Sequence, residues 1–252
     1  IIKSLIKIRY KNRRQFRIFR DTLNLGLRIM GSRENGLAWD EGNHFSKVLL
    51  VSLAKNLHRL QSILILCKRG FAKDAILLLR TMFEELVDLK YMQADKKRIE
   101  DYFNYDTYIR LKLGRILLVH SGKGVDKQKV KTRNAELEKE WNKVKSKFMD
   151  KNGKVHKRWT CKSVADISTE VGLGEAYHYI FRYLSNYIHS SPVSANDYVL
   201  GREGDNVVIE IGASPQLIRE VLPTASIFFV DMLSIVNDEY EMKLDDKLKS
   251  LA

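Results

Sequence analysis

Residues 49–91 read LLVSLAKNLHRLQSILILCKRGFAKDAILLLRTMFEELVDLKY, and their apolar spacing decides the fold. Leu49, Leu53, Leu57, Leu60, Leu64 and Cys67 recur every three or four residues, which gathers them on one side of a helix with 3.6 residues per turn. Gly70 ends the stripe, because glycine takes the left-handed conformation that closes helices at little steric cost. Ala72, Ile76, Leu79, Phe83, Leu86 and Tyr91 then form a second stripe. Two amphipathic helices joined by so short a turn lie antiparallel, each burying its stripe against the other.

The same spacing recurs outward from this pair. A helix is expected from about residue 96 to 119, with Ile99, Tyr102, Phe103, Ile109, Leu113 and Ile116 inward, ending near Ser121-Gly122-Lys123-Gly124. A last long helix carries Ile218, Val221, Leu222, Ala225, Phe229, Met232 and Val236, with a bend expected at Pro223. Residues 122–160 differ. Leu137, Trp141, Val144 and Phe148 make a narrow apolar stripe among lysines, broken at Asn152-Gly153, which reads as an exposed basic insertion. Between about 197 and 211, Tyr-Val-Leu, a Gly-Arg-Glu-Gly-Asp-Asn turn and Val-Val-Ile-Glu-Ile read as a small β-hairpin. The expected fold is therefore all-α, a helical bundle with one small hairpin. Residues 1–40 read as a basic N-terminal helix, and residues 41–252 as the helical domain.

The 252 residues carry a formal net charge of +13, with 44% hydrophobic and 30% charged residues. A chain of this length buries a substantial core. The positive surplus is clustered: ten Lys and Arg residues between Lys3 and Arg33 meet only Asp21 as an acid, and a second block runs from Lys123 to Lys162. Such blocks suit a phosphate backbone or an anionic surface, although lysine-rich runs also serve as plain solvated faces. In the second block, Lys139, Lys143, Lys145, Lys147 and Arg158 are the candidate nucleic-acid contacts. With only Cys67 and Cys161, neither a disulfide framework nor a zinc site is expected, and a reducing cytoplasm fits. No apolar run approaches the roughly 18 residues of a membrane span. His44, His58 and His156 lack carboxylates at ligand spacing, so no metal and no cofactor is expected.

The candidate site lies in Arg182-Tyr-Leu-Ser-Asn-Tyr-Ile-His189, ahead of a Ser190-Ser191-Pro192 helix stop. Seven residues of uninterrupted helix return His189 to within about 20° of Arg182 and place it about 10 Å along the axis. With Tyr177, Ile180, Phe181, Leu184 and Ile188 as the buried stripe, His178, Arg182, Ser185 and His189 fall on one polar flank. A fixed cation beside an imidazole suits chemistry on phosphate. The plainer reading is a histidine favoured by the helix dipole and an arginine paired with some carboxylate. On the earlier helix, Arg80 and Glu84 point the same way, either as a simple intrahelical pair or with Glu84 orienting Arg182 or His189 across the helix interface. Asp88, one turn on, reads as an ordinary ion-pair residue.

Arg182-x6-His189 near the end of a late helix resembles the HEPN superfamily, whose signature is an Arg and a His with four to six residues between them. The longer pattern, Arg80-x3-Glu84 followed by Tyr183-x-Ser185-x3-His189, is similar to a bacterial family of unknown function with HEPN-like character. The resemblance spans roughly residues 45–232, apart from the lysine-rich insertion. It implies a metal-independent endoribonuclease, a toxin or phage-defence effector. His189 would act as general base or acid, Arg182 would stabilise charge on the scissile phosphate, and Ser185 and Asn186 would add hydrogen bonds. It further implies RNA as substrate, a homodimer that brings two motifs together, and a cognate inhibitor protein. Two alternatives stand beside it: a non-catalytic nucleic-acid or nucleotide-binding helical module, and a helical adaptor whose basic N-terminal helix meets a partner or a membrane.

Overall fold

The two stripes of residues 49–91 form an antiparallel pair in the computed structural model, which describes residues 2–31, 37–39, 41–120, 122, 124–188, 191–204 and 206–251. Helix α3 (His44–Arg69) begins at Asn43, whose side chain accepts from the Ser46 N–H, and ends at Gly70. There φ is 80°, and the glycine N–H closes onto the Cys67 and Leu66 carbonyls. A Cβ at this position would also lie 2.9 Å from the Ser214 backbone nitrogen, which donates to the Gly70 carbonyl. Helix α4 (Ala72–Ala94) returns along α3 and buries Ile76, Leu79, Phe83 and Leu86. Helix α11 (Ile218–Tyr240) lies against both, continues through Pro223, and buries every residue of its expected stripe.

The basic N-terminal segment is two helices, α1 (Ile2–Lys11) and α2 (Arg13–Gly31), broken at Asn12, whose side chain turns back to the Ile8 carbonyl. Rather than standing apart, α2 completes the core against α3 and α11. Phe16, Phe19, Leu23 and Ile29 supply an apolar face among the arginines. At Gly26 the helices approach so closely that an added Cβ would lie 2.6 Å from the Phe229 ring and 2.8 Å from Leu57. Both neighbours are buried and have nowhere to retreat. Gly26→Ala is expected to destabilise the protein by about 1–3 kcal/mol despite its better helix propensity, as read by the midpoint of urea denaturation.

Helix α5 (Arg98–His120) and helix α6 (Lys127–Val144) form an antiparallel arm. Tyr108 meets Trp141 at 5.0 Å between ring centroids, and Asn134, Leu137 and Trp141 are buried. The inward face of α5 differs from the one expected. Ile99, Tyr105, Leu111 and Gly114 are buried, whereas Ile109, Leu113 and Ile116 are 37%, 55% and 46% exposed, and Phe103 is also exposed. The arm leaves the bundle part-way along α5, so an apolar stripe that would continue the core is not covered by any element among the described residues.

After α6, a 3-10 turn (Lys145–Phe148) buries Phe148, and Met149 bridges Val155 around Gly153. Helix α7 (Val164–Glu170) starts with a capping box between Ser163 and Asp166. A continuous helical run then comprises α8 (Gly174–Ala176), a π turn (Tyr177–Phe181) and α9 (Arg182–Ile188). Helix α10 (Pro192–Asn196) leads into the hairpin of β1 (Val199–Glu203) and β2 (Asn206–Ile209), antiparallel with a bulge between Val199 and Gly201. The hairpin is anchored by Lys73, a buried cation on α4. Its ammonium donates to the Asp197 carbonyl (2.5 Å) and Glu210 (2.7 Å) and lies 4.0 Å over the Tyr198 ring. Helix α12 (Asp245–Lys249) is the last described helix.

By length and apolarity alone, α3 and α11 could each cross a bilayer. Here 50% and 67% of their apolar windows are buried inside the bundle.

Candidate functional site

Aromatic packing fixes the helix that carries Arg182. Phe83 of α4 lies 5.2 Å from Phe181 and 5.3 Å from Phe228, ring centroid to centroid. Tyr177 stacks on Phe181 at 5.2 Å. Phe83, Phe181 and Phe228 thus join α4, the π turn and α11 at one point. Arg80 covers the open side of this cluster: its guanidinium sits 4.8 Å over the Phe181 ring while its Nε donates to Glu84 at 3.2 Å. Phe181 immediately precedes Arg182, so the Arg80–Glu84 pair and the candidate arginine lie on neighbouring elements. Glu84 is occupied by Arg80, and no ion pair joins it to Arg182 among the described residues.

Arg182 opens α9 with its side chain exposed and without an acidic partner among the described residues. Its carbonyl accepts from the Asn186 amide at 3.4 Å, and the Ser185 hydroxyl donates to the Phe181 carbonyl at 2.8 Å. Both supporting side chains therefore rest on their own helix, one turn from the arginine. Phe181 and Leu184 are buried and Tyr177 and Ile180 half-buried, in line with the expected stripe. His189 and Ser190 lie outside the described residues.

His178 lies within the π turn; it is exposed and packs edge-on against Tyr177, at 5.4 Å between centroids. Tyr183 and Tyr187 face the far side. Their hydroxyls are 2.9 Å apart and both reach the Asp197 carboxylate, tying α9 to the start of the hairpin.

One turn further along α4 lies a charged cluster that local sequence reading missed. Glu85 takes Lys55 at 2.8 Å, Asn56 at 2.9 Å and a close contact from Arg59, all from α3. Asp88 takes Arg158 at 2.6 Å and the Trp159 indole at 3.3 Å. Lys55, Arg59, Glu85 and Asp88, together with Glu84 and Tyr102, border a cleft of about 220 Å³. Burial pushes the Glu85 carboxyl upward, but the Lys55 and Arg59 cations outweigh it and hold the group below its ordinary value. At Asp88 burial prevails over Arg158 and Trp159, and the value is raised. The stabilisation from Glu85 is thus complete above its ordinary value of 4.5 and is lost as pH falls through the depressed folded value. Asp88 works in the opposite sense, its contribution falling as pH rises through the raised value. Glu85→Gln is expected to flatten the loss of stability on acidification below about pH 4.5, measured as the denaturation midpoint against pH.

The expected nucleic-acid contacts separate into two groups. Lys139, Lys143 and Lys145 are exposed on α6 and the following turn. Lys147 pairs with Asp101 at 3.3 Å, also at the surface. Arg158 is instead drawn in to Asp88, with its side chain 24% exposed, so its guanidinium closes the fold rather than standing free for phosphate. Among the described residues no three His, Cys, Asp or Glu side chains gather as metal ligands. Both cysteines are free, and burial pushes the Cys67 thiol up to about 12, which makes it a core residue rather than a nucleophile.

Residues 46–207 match the family model described as a family of unknown function (DUF5677). The chain belongs to this family. No curated protein and no solved structure matches the chain. The DUF5677 match runs from the first turn of α3 into β2, so it takes in Arg80, Glu84, the Glu85–Asp88 cluster, the α5–α6 arm and the Arg182 helix. Helices α2 and α11 lie outside the match yet complete the core beneath it.

Proposed function

We propose that this DUF5677 protein is a HEPN-like, metal-independent endoribonuclease in which Arg182 and His189 act on the scissile phosphodiester. The observation that carries the reading is the state of Arg182: an exposed guanidinium, unneutralised by any described acid, on a helix that Phe83 and Arg80 hold in place. Arg80 is already committed to Glu84 and an aromatic face, so Arg182 is the cation left to meet an anion. A guanidinium suits phosphate because its planar fork donates to two oxygens at once. His189 supplies the proton transfer, the role to which an imidazole is suited.

In the cleavage step the 2′-hydroxyl gives its proton to one imidazole, the 2′-oxygen bonds to phosphorus, and the 5′-oxygen leaves with a proton from an acid. The products are a 2′,3′-cyclic phosphate and a 5′-hydroxyl. A single histidine is sparse for both proton transfers, and two copies of the motif facing one another supply separate base and acid. A homodimer and a protein inhibitor that restrains a toxic nuclease belong to the same proposal. The test is cleavage of single-stranded RNA in EDTA by the wild-type chain and by Arg182→Ala and His189→Ala, with cyclic phosphate ends as the expected product.

Exposed Lys139, Lys143 and Lys145 favour a second reading, a binding module that follows the nucleic-acid backbone through the arm. It expects steeply salt-dependent RNA binding that His189→Ala leaves unchanged and neutralisation of these lysines abolishes.

A further inference from the structure

We propose that the outer face of α5 is a self-association seam, on which a second copy of this chain packs antiparallel about a two-fold axis at Leu113. The face is read from Asp106, Ile109, Leu113, Ile116 and His120, spaced three, four, three and four residues apart. That is the repeat by which one helix packs along another. Helix α6 leaves it exposed, because α6 packs beside it on α5, where Gly114 meets Asn134, Tyr108 meets Trp141, and Arg115 pairs with Glu138. Ile109, Leu113, Ile116 and the adjacent Leu117 are left 37%, 55%, 46% and 47% exposed. Four large aliphatic residues at packing spacing on one helix are a contiguous apolar patch, the mark of an interaction site rather than of scattered surface residues.

The ends of the stripe select the occupant. Asp106 and His120 each stand seven residues from Leu113, on opposite sides of it. Antiparallel pairing about Leu113 sets Ile109 beside the second copy's Leu117 and Asp106 beside its His120, at both ends by symmetry. Asp106 holds Arg110 on its own helix but keeps its carboxyl 42% exposed. Parallel alignment would instead set Asp106 against Asp106 and Arg110 against Arg110, opposing like charges. Between α5 and α6 runs a groove of about 400 Å³ lined by Leu113, Leu117, Val130 and Leu137, able to receive an aliphatic side chain from the facing helix. The nuclease reading is not needed for this seam, which lies on α5 and not on α9.

The test combines sedimentation with cysteine cross-linking in a Cys161→Ser background. Wild-type protein is expected to sediment at twice its 29.3 kDa chain mass or above in the micromolar range, and Leu113→Glu to raise the dissociation constant of the α5 contact at least tenfold. Leu113→Cys is expected to form a disulfide dimer under mild oxidation, Ile109→Cys alone to form none, and Ile109→Cys mixed with Leu117→Cys to cross-link. Leu113 is exposed, so these variants fold, which circular dichroism checks. A chain that stays monomeric at about 100 μM overturns the proposal, as does a dimer indifferent to Leu113→Glu. Ile109→Cys cross-linking as well as Leu113→Cys means parallel pairing and overturns the register. A monomer that floats with phosphatidylserine vesicles assigns the face to a membrane instead.

Discussion

Phe83→Ala is expected to cost about 3–5 kcal/mol of stability, among the largest losses any single truncation in this chain produces. Phe83 is fully buried and is the common neighbour of Phe181 and Phe228, so its removal opens a cavity between three elements at once. For a protein of this size the loss lowers the melting temperature by roughly 6–20 °C. Phe83→Leu, which retains most of the volume, is expected to cost below about 1.5 kcal/mol. Tyr179→Ala, in the π turn two residues before Phe181 but 79% exposed, is expected to stay within about 0.5 kcal/mol of wild type. Calorimetry of the three variants separates a packing role from a general intolerance of substitution. Because Arg80 rests on the Phe181 ring that Phe83 supports, the cavity also loosens the platform from which Arg182 projects.

His189→Ala is expected to lower RNA cleavage by about 10²–10⁴-fold, the usual range for removing a positioned general acid or base. Arg182→Ala is expected to lose about 10²–10³-fold, comparable to removing a principal donor that stabilises transition-state charge. Arg182→Lys falls between, since it keeps the charge but loses the fork that grips two phosphate oxygens. Arg182 is exposed and free of described ion pairs, so Arg182→Ala and Arg182→Lys leave the melting temperature near wild type. Loss of activity without loss of stability therefore reports on chemistry. Glu84→Gln is the informative companion. It releases Arg80 from its partner, so a fall in activity at unchanged stability marks the Arg80–Glu84 pair as a positioning device, and unchanged activity marks it as an ordinary surface pair.

The central bundle was legible because its helices bury their stripes against one another within the chain. Leu49 to Cys67, Ala72 to Tyr91 and Ile218 to Val236 each repeat at helical spacing, and each stripe is inside. The α5 stripe shows the limit of the same reasoning. Periodicity reports that Ile109, Leu113 and Ile116 share a face, but not which element covers it, and here none of the described ones does. The N-terminal helix was misleading for a related reason: arginines dominate its composition while Phe16, Phe19 and Leu23 quietly supply its core face.

At the candidate site, contacts local in sequence were readable and distant ones were not. Arg80 and Glu84 are four residues apart on one helix, and their pairing follows from helix geometry. Asp88 and Arg158 are seventy residues apart, and no pattern near either announces the other. The π turn was hidden as well, since Tyr177 to Phe181 reads like any amphipathic helix. Ser185 and Asn186 hydrogen-bond to the carbonyls of Phe181 and Arg182, four residues back, as helical spacing leads one to expect.

The most direct measurement is a cleavage assay on single-stranded RNA with excess EDTA, comparing wild-type protein with His189→Ala at matched concentration and confirmed folding. Wild-type cleavage to 2′,3′-cyclic phosphate ends, abolished in the variant, is the expected result. RNA left intact by micromolar wild-type protein, or cut equally well by His189→Ala, contradicts the assignment.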